Sequence, residues 1–415
     1  MNGHARSIDR DLSKLLKIAP AIAIDGAKGV GKTFTASRRS STIWALDDPD
    51  QHAILATDPR VLTRSKPTVL LDEWQRFPRM WDVVRRQVDA GAAPGTFLLT
   101  GSATPAAGHD THSGAGRIVS VRMRPLGLQE RGVSAATVSL AALLNGTAEV
   151  GGESELGLDG YVEQIVASGF PGITSAPNRL REEYLDGYLT RVIERDLPDH
   201  GVSVRRPETL RRWLAAYAAA TSTSTNYSRI LDATTAGDGS QPAKTTTIAY
   251  RDHLTQLWVL DPLPGWAPSL NPFTRLQQAP KHHLADPALA VRLLGLSAAR
   301  LMSPQGGAQL GQLFEALATL TVRVAAQASR ARVGHLRTGD GKHEVDLIVE
   351  ENDGRLVAIE VKLAATPTDA DVRHLRWLKD RLGETVVDSV VLTAGSHAYR
   401  RRDGIAVVPL ALLAD

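Results

Sequence analysis

The sequence predicts an α/β chain in three parts: a parallel-sheet domain, a helical middle and a compact α/β/α unit. Three observations carry that expectation. Up to about Arg131, short and nearly continuous apolar runs alternate with helical or turn-rich segments, the pattern of a parallel sheet covered on both faces. From Ser134 to about Met302, apolar residues recur three and four apart, as in amphipathic helices. From Gln309 onward, strand-like runs return around a single amphipathic helix. The boundaries are drawn at 1–133, 134–308 and 309–415, and no repeat of solenoid length is visible.

The strands of the first part are expected at residues 18–25 (IAPAIAID), 42–47 (TIWALD), 68–72 (TVLLD), 96–100 (TFLLT) and 117–123 (RIVSVRM), with a turn-rich loop at 103–115. Between the first strand and a helix-capable segment lies Gly26-Ala27-Lys28-Gly29-Val30-Gly31-Lys32-Thr33, which fits G-x-x-x-x-G-K-[ST] at every position. Glycines let backbone N–H groups curl around a β-phosphate. Lys32 would bridge the β- and γ-phosphates of ATP, and the Thr33 hydroxyl would ligate Mg²⁺. Phe34 follows at the helix start and is counted with the nucleotide-binding residues. The third strand ends in Asp72 and Glu73. Asp72 would hold Mg²⁺ through water, and Glu73 would polarise the attacking water.

Two further positions fit the same picture, each with an ordinary alternative. Thr100, with Ser102, stands where a sensor of the γ-phosphate would sit, or simply caps a turn. Arg117 reads either as an arginine finger, for its own or a neighbouring nucleotide, or as a surface arginine at a strand start.

In the middle part, residues 181–193 and 208–220 have clear helical spacing, 145–159 reads as a Gly/Glu-rich linker, and 233–244 as a loop. Residues 245–260 (TTTIAYRDHLTQLWVL) suit the second helix of a helix-turn-helix or winged-helix unit, or plain helix packing. A Pro-rich segment, 261–280, closes the region, and His282-His283 beyond it reads as a solvated turn. Trp213, Trp258 and Trp377 sit at helical-periodic positions and read as core. The clusters Arg205-Arg206, Arg211-Arg212 and Arg400-Arg401-Arg402 read as solvated helix ends, with a DNA-contact face as the alternative.

The last part is expected to open with a helix at 310–328, followed by strands at 332–337, 344–350, 356–362 and 389–393 with a helix at 369–381 before the last. A turn at 352–354 makes a hairpin, so Asp346 can meet Glu360 and Lys362, which share a face because strands have a period of two. With Glu315 on the preceding helix and Glu344 beside Asp346, this resembles the PD-(D/E)-x-K nuclease pattern. In that pattern Asp346, Glu360 and Glu315 hold a metal and Lys362 steadies the attacking hydroxide. Oxygen ligands without Cys or His suit Mg²⁺ or Mn²⁺ better than zinc. The plain alternative is an acid–base cross-strand pair between Asp346 and Lys362.

Composition narrows the classes. At 43% hydrophobic and 22% charged, the chain is neither disordered nor fibrous. Its 48 Lys and Arg against 45 Asp and Glu leave a charge of +3, too small to mark a nucleic-acid binder by itself. The absence of cysteine excludes disulfide scaffolds, zinc ribbons, iron–sulfur clusters and Cys nucleophiles. No stretch approaches the roughly 20 apolar residues needed to span a bilayer, and residues 1–17 lack the apolar core of a signal peptide. A soluble, cytoplasmic protein without a membrane partner is therefore expected.

Taken in order, GAKGVGKT, VLLDEWQRFP, FLLTGSATP, HSGAGRI and MRPLGLQER resemble the prokaryotic AAA+-like ATPases of the STAND/archaeal-ATPase branch. More narrowly, with YVEQIVASGFPGI, YLDGYLTRVIERDL and HLRTGDGKHEVDLIVE…AIEVK, they resemble those carrying a C-terminal domain of unknown function. The resemblance covers nearly the whole chain. It implies a P-loop AAA+-like domain, a winged-helix-like middle and a restriction-endonuclease-like end, with ATP bound by Lys32, Thr33, Asp72 and Glu73. One departure is Thr and Ser at the end of the fourth strand, where Asn is common. The function expected is an Mg-dependent ATPase coupled to a nuclease-like domain that acts on or recognises DNA or RNA. The alternative is a non-catalytic, ATP-dependent switch that binds a protein partner or a second copy of itself.

Overall fold

A computed structural model describes residues 5–102, 115–199, 202, 204, 206–234, 242–268 and 278–415. The chain forms two compact units. The first comprises Met1–Arg124 with Arg191–Arg205 and Tyr250–Val259; the second comprises Pro125–Thr190, Arg206–Ala249 and Leu260–Asp415.

The first unit is built on five parallel strands, all at expected places: β1 (Ala21–Asp25), β2 (Thr42–Ala45), β3 (Val69–Asp72), β4 (Phe97–Gly101) and β5 (Ile118–Arg122). They lie in the order β2-β3-β4-β1-β5, so β4 separates the strand before the glycine-rich loop from the strand that ends in Asp72. The alternate residues Ala21 and Ala23, Val69 and Leu71, and Phe97 and Leu99 bury one sheet face against Leu46, Leu55, Trp74, Phe77, Met80 and Val84. The intervening Ile22, Ile24, Leu70 and Leu98 are equally buried on the other face. Two covered faces explain why these strands read as unbroken apolar runs. Before the sheet, helix α1 (Ile8–Leu15) turns Ile8, Leu12 and Leu15 inward. The loop after β1 leads into the short helix α2 (Lys32–Ser37). The loop expected at 103–115 lies, but for Ala115, outside the described residues.

The second unit holds a two-stranded parallel pair, β6 (Val138–Ser139) with β14 (Leu413–Ala414), and a seven-stranded mixed sheet. The sheet is formed by β7 (Gly265–Trp266), β8 (Arg332–Arg337), β9 (Glu344–Glu350), β10 (Leu356–Lys362), β11 (Val386–Thr393), β12 (Tyr399–Arg400) and β13 (Ala406–Pro409). Its order is β12-β13-β11-β10-β9-β8-β7. The meander β8-β9-β10 is antiparallel, and β10 returns in parallel to β11 through helix Arg373–Leu382. That helix buries Leu375 and Leu378 against Val345, Leu356, Ala358 and Val391. The long helix Gly307–Ala328 packs on β8, β9 and β10.

Several expectations need correction in this unit. His282 and His283 are buried, not solvated, because backbone bridges Thr221↔His282 and Leu263↔Lys281 tie their segment into the unit. The 145–159 linker is docked: Ser154 N–H donates to Ser396 O at 2.7 Å, and Gly152 O accepts from Ala398 N–H at 2.9 Å. Arg400 is paired with Asp388, and Arg401 with Asp369 and Asp403, so neither is an unengaged helix end. Arg205 lies outside the described residues, as does most of the 233–244 loop. Among the tryptophans Trp213 is buried, whereas Trp377 is half-buried and stacks on His343 with centroids 4.0 Å apart. In the first unit Trp258 is also half-buried, with the Arg122 guanidinium 4.4 Å from its ring centroid. Among the described residues no helix is long and apolar enough to cross a membrane.

Candidate nucleotide site and a carboxylate cluster

The glycine-rich loop leaves β1 at Asp25 and closes on Gly31, whose left-handed backbone (φ 98°) starts α2. Gly26 is required sterically: a Cβ there would lie 2.1 Å from the Met123 carbonyl oxygen. Val30 is buried and its carbonyl accepts from Arg6 Nη1 at 2.8 Å, which pins the middle of the loop. Lys32 is 5% exposed and donates to the carbonyls of Gly26 and Ala27, each at 2.8 Å. Its ammonium thus lies folded against the loop. Burial pushes its pKa down to about 8, against the pull of the Glu73, Asp25 and Asp72 carboxylates. Lys28, the other lysine of the loop, is ion-paired with the buried Asp196 of the same unit. Phe34 is exposed on α2, with the Arg38 guanidinium 5.6 Å from its ring centroid.

The end of β3 comes to the start of α2. Thr33 Oγ1 donates to Asp72 Oδ1 at 2.8 Å, and Thr100 Oγ1, at the buried end of β4, donates to the same oxygen. Thr100 therefore braces Asp72. Glu73 leaves the strand with φ 53° and accepts from Gln75 Nε2, which also reaches Ser102 Oγ at 3.1 Å. The β4 end must pass close to this turn, because a Cβ on Gly101 would lie 2.6 Å from Trp74 Nε1. The Thr33 hydroxyl and the Asp72 carboxylate are hard oxygen donors side by side. They fit Mg²⁺, which takes one or two protein oxygens and completes its shell from substrate phosphates and water.

Arg117 does not join the site. It precedes Ile118, which pairs with Ala21 at the start of β1, whereas the loop leaves the other end of that strand. Its side chain is exposed and paired with Asp89 at 2.6 Å. The finger role for this chain's own nucleotide is thereby corrected: five residues of β1 at roughly 3.3 Å each separate it from the loop.

In the second unit Asp346, Glu360, Lys362, Glu315 and Glu344 do converge. Asp346 Oδ2 accepts from Val361 N–H at 3.0 Å, and Lys362 Nζ meets Glu360 Oε1 at 2.9 Å. At the centre, however, lies Lys281, whose ammonium contacts Glu315 at 2.9 Å, Glu344 at 3.0 Å and Asp346 at 2.9 Å. Burial alone would lower the Lys281 pKa, but Asp346, Glu315 and Glu344 outweigh it and raise it well above the usual lysine value. Glu315 and Glu360 are both pushed up to about 8, by burial first and by the Asp346 charge second. Asp346 stays below the usual range: burial opposes this, and the Lys281 and Lys362 charges prevail. Among the described residues no three Asp, Glu or His side chains are grouped to hold a metal ion. The expected metal position among Glu315, Asp346 and Glu360 does not fit a divalent cation with this ammonium in place.

Comparison with known proteins finds three matched segments along the chain. Residues 19–131 match the AAA domain family. The five-stranded sheet and the glycine-rich loop lie within this match, so that segment is similar to an AAA domain. Residues 158–300 match a domain of unknown function, DUF8612, and residues 310–413 match another, DUF4143. An uncharacterized protein of Mycobacterium bovis and one of Mycobacterium tuberculosis are each 28% identical over 407 residues, covering 96% of this chain and 82% of theirs. Among solved structures, a Walker-type ATPase of Pyrococcus abyssi aligns at 13% identity and a TM-score of 0.34, over 69% of this chain and 94% of its own. The ORC2 protein of Aeropyrum pernix aligns at 15% and 0.27, over 70% and 89%. Likenesses this loose carry no argument about the chain.

Sequence reasoning missed Gln75, Asp196 and Lys281. Gln75 had a signal, two residues past Glu73 on the turn that leaves β3. Asp196 and Lys281 had none, because their partners are 168 residues away in one case and 34 and 65 in the other.

Proposed function

We propose that the chain hydrolyses ATP at the Lys32–Thr33–Asp72–Glu73 site in an Mg-dependent reaction, and that the cycle serves a nuclease-like C-terminal unit that recognises nucleic acid. The observation that carries the first part is the convergence of Thr33 and Thr100 on Asp72, with Glu73 beside it held by Gln75. Lys32 exchanges its two loop carbonyls for β- and γ-phosphate oxygens, a charge-assisted replacement for neutral hydrogen bonds. Thr33 and Asp72 hold Mg²⁺, which when bound offsets phosphate charge. Glu73 accepts a hydrogen bond from the attacking water, and Gln75 and Ser102 fix the carboxylate that does so. Support for the nucleic-acid partner is the spacing of Asp346, Glu360 and Lys362 and their meeting on β9 and β10.

The test is ATP turnover by the purified chain, with and without DNA or RNA, beside Lys32→Ala and Glu73→Gln. Lys32→Ala should abolish turnover, and Glu73→Gln should keep binding while slowing hydrolysis about 10²–10⁴-fold. Unchanged turnover in either variant sinks the assignment, and turnover indifferent to both nucleic acids sinks the proposed partner. A second reading, an ATP-binding switch for a protein partner or a second copy of this chain, draws support from the ammonium that fills the carboxylate cluster. Tight ATP binding without turnover under any addition would select it.

A further inference from the structure

We propose that Lys281 is a built-in cation, which occupies the carboxylate cluster of the second unit in place of a divalent metal and excludes one from it. The inference is independent of the ATP reading. An ammonium has three N–H donors, and here three carboxylates surround it, from helix Gly307–Ala328 (Glu315) and from β9 (Glu344 and Asp346). Two of its donors are hydrogen-bonded, to Glu315 and Asp346, and Glu344 adds a third ion pair at 3.0 Å. The side chain is 2% exposed, so no water competes for those contacts.

The backbone that delivers Lys281 is itself held, by reciprocal hydrogen bonds with Leu263 of 2.9 and 3.0 Å. The remaining oxygen of Asp346 accepts from Val361 N–H, and Glu360 is engaged by a second lysine, Lys362. A metal entering the cluster would have to expel the Lys281 ammonium into a buried region. The titratable groups that feel its charge there include His283 and His335, both nine-tenths or more buried and both held neutral, by burial first and by the Lys281 charge among other causes, while the buried Asp261 is already paired with Arg323. They offer no counter-charge, and a buried charge without a partner is strongly disfavoured. The ammonium and the metal are therefore mutually exclusive, and the fold selects the ammonium. In this unit β9 and β10 keep the residue spacing of a metal-dependent phosphodiesterase while lacking a place for the metal.

The experiment is Mn²⁺ titration of the full chain, followed by electron paramagnetic resonance, without nucleotide and in three forms: wild type, Asp346→Asn and Lys281→Met. The wild type should show no Mn²⁺ binding that Asp346→Asn removes. Lys281→Met, which keeps the aliphatic stem and deletes the charge, should bind Mn²⁺ tighter than wild type by about tenfold or more, the worth of one hydrogen bond to a charged group. That gain should vanish when Asp346→Asn is added. Wild-type binding lost in Asp346→Asn would overturn the proposal, as would a folded Lys281→Met chain no better at binding Mn²⁺. If Lys281→Met fails to fold, the wild type against Asp346→Asn still decides.

Discussion

On the proposed reading, raising the pH from 7 to 9.5 should weaken metal-free ATP binding by this chain roughly thirtyfold, because Lys32 loses its proton unusually early. Lys32 is 5% exposed, and burial brings its pKa to about 8. At that value roughly nine-tenths of the chains carry a charged Lys32 at pH 7 and about 3% at pH 9.5. A triphosphate selects the charged form, so the apparent dissociation constant grows by the ratio of those fractions, about 2 kcal/mol of binding free energy. A lysine with the ordinary value of 10.5 would lose only about a tenth of its charge over the same interval.

The assay is titration with a fluorescent ATP analogue in the presence of a chelator, so that no metal at Thr33 and Asp72 adds its own charge. Phosphate ionisation, complete well above about pH 6, does not interfere. Lys32→Arg is the control, since a guanidinium keeps its charge throughout. A wild-type dissociation constant level from pH 7 to 9.5 would refute the reasoning, and with it the picture of an ammonium folded against the loop.

Other expectations follow from single contacts. Thr100→Val removes one of two hydroxyls on Asp72 Oδ1 and should weaken Mg·ATP binding by about 1 kcal/mol in calorimetry; unchanged affinity with slower turnover would return Thr100 to the sensor role. Gly101→Ala puts a methyl 2.6 Å from Trp74 Nε1 and should destabilise the first unit by about 1–3 kcal/mol, and an unaltered melting temperature would show that the indole can withdraw. Arg117→Ala breaks an exposed pair with Asp89 and should leave stability within about 1 kcal/mol and turnover at low protein concentration unchanged. For Glu315 and Glu360 the folded pKa is raised from 4.5 to about 8, so the stability they contribute is full below 4.5 and is lost as pH climbs toward 8. Urea unfolding should therefore show a decline from pH 5 to 8 that Glu315→Gln with Glu360→Gln flattens; the contribution of Asp346, with its lowered pKa, is present above 3.8 and lost only as pH falls below it, outside that window.

The candidate nucleotide site was legible because its residues are nearly contiguous. Gly26 to Thr33 form one loop, and Asp72 and Glu73 end one strand, so motif and strand pattern suffice to place them. The same holds for Glu360 and Lys362, two residues apart on β10. Arg117 was ambiguous for the converse reason: a strand's residues are visible in the sequence, but which end of it faces the loop depends on parallel pairing with β1. His282 and His283 look like a polar turn between prolines, and only the bridges to Thr221 and Leu263 remove their segment from water.

Apolar periodicity and motif spacing are local properties, and they settle in advance the parallel sheet, the glycine-rich loop with its acidic strand end, and the return to strands after residue 309. Charge balance in a buried cluster is not local. Whether Glu315, Glu344 and Asp346 surround a metal or an ammonium depends on where the chain brings Lys281, whose carboxylate partners stand 34, 63 and 65 residues away. The carboxylates could be read from the residues, but their counter-ion was decided by the tertiary structure. Desolvation requires every buried charge to find a partner, and the partner can come from any part of the chain.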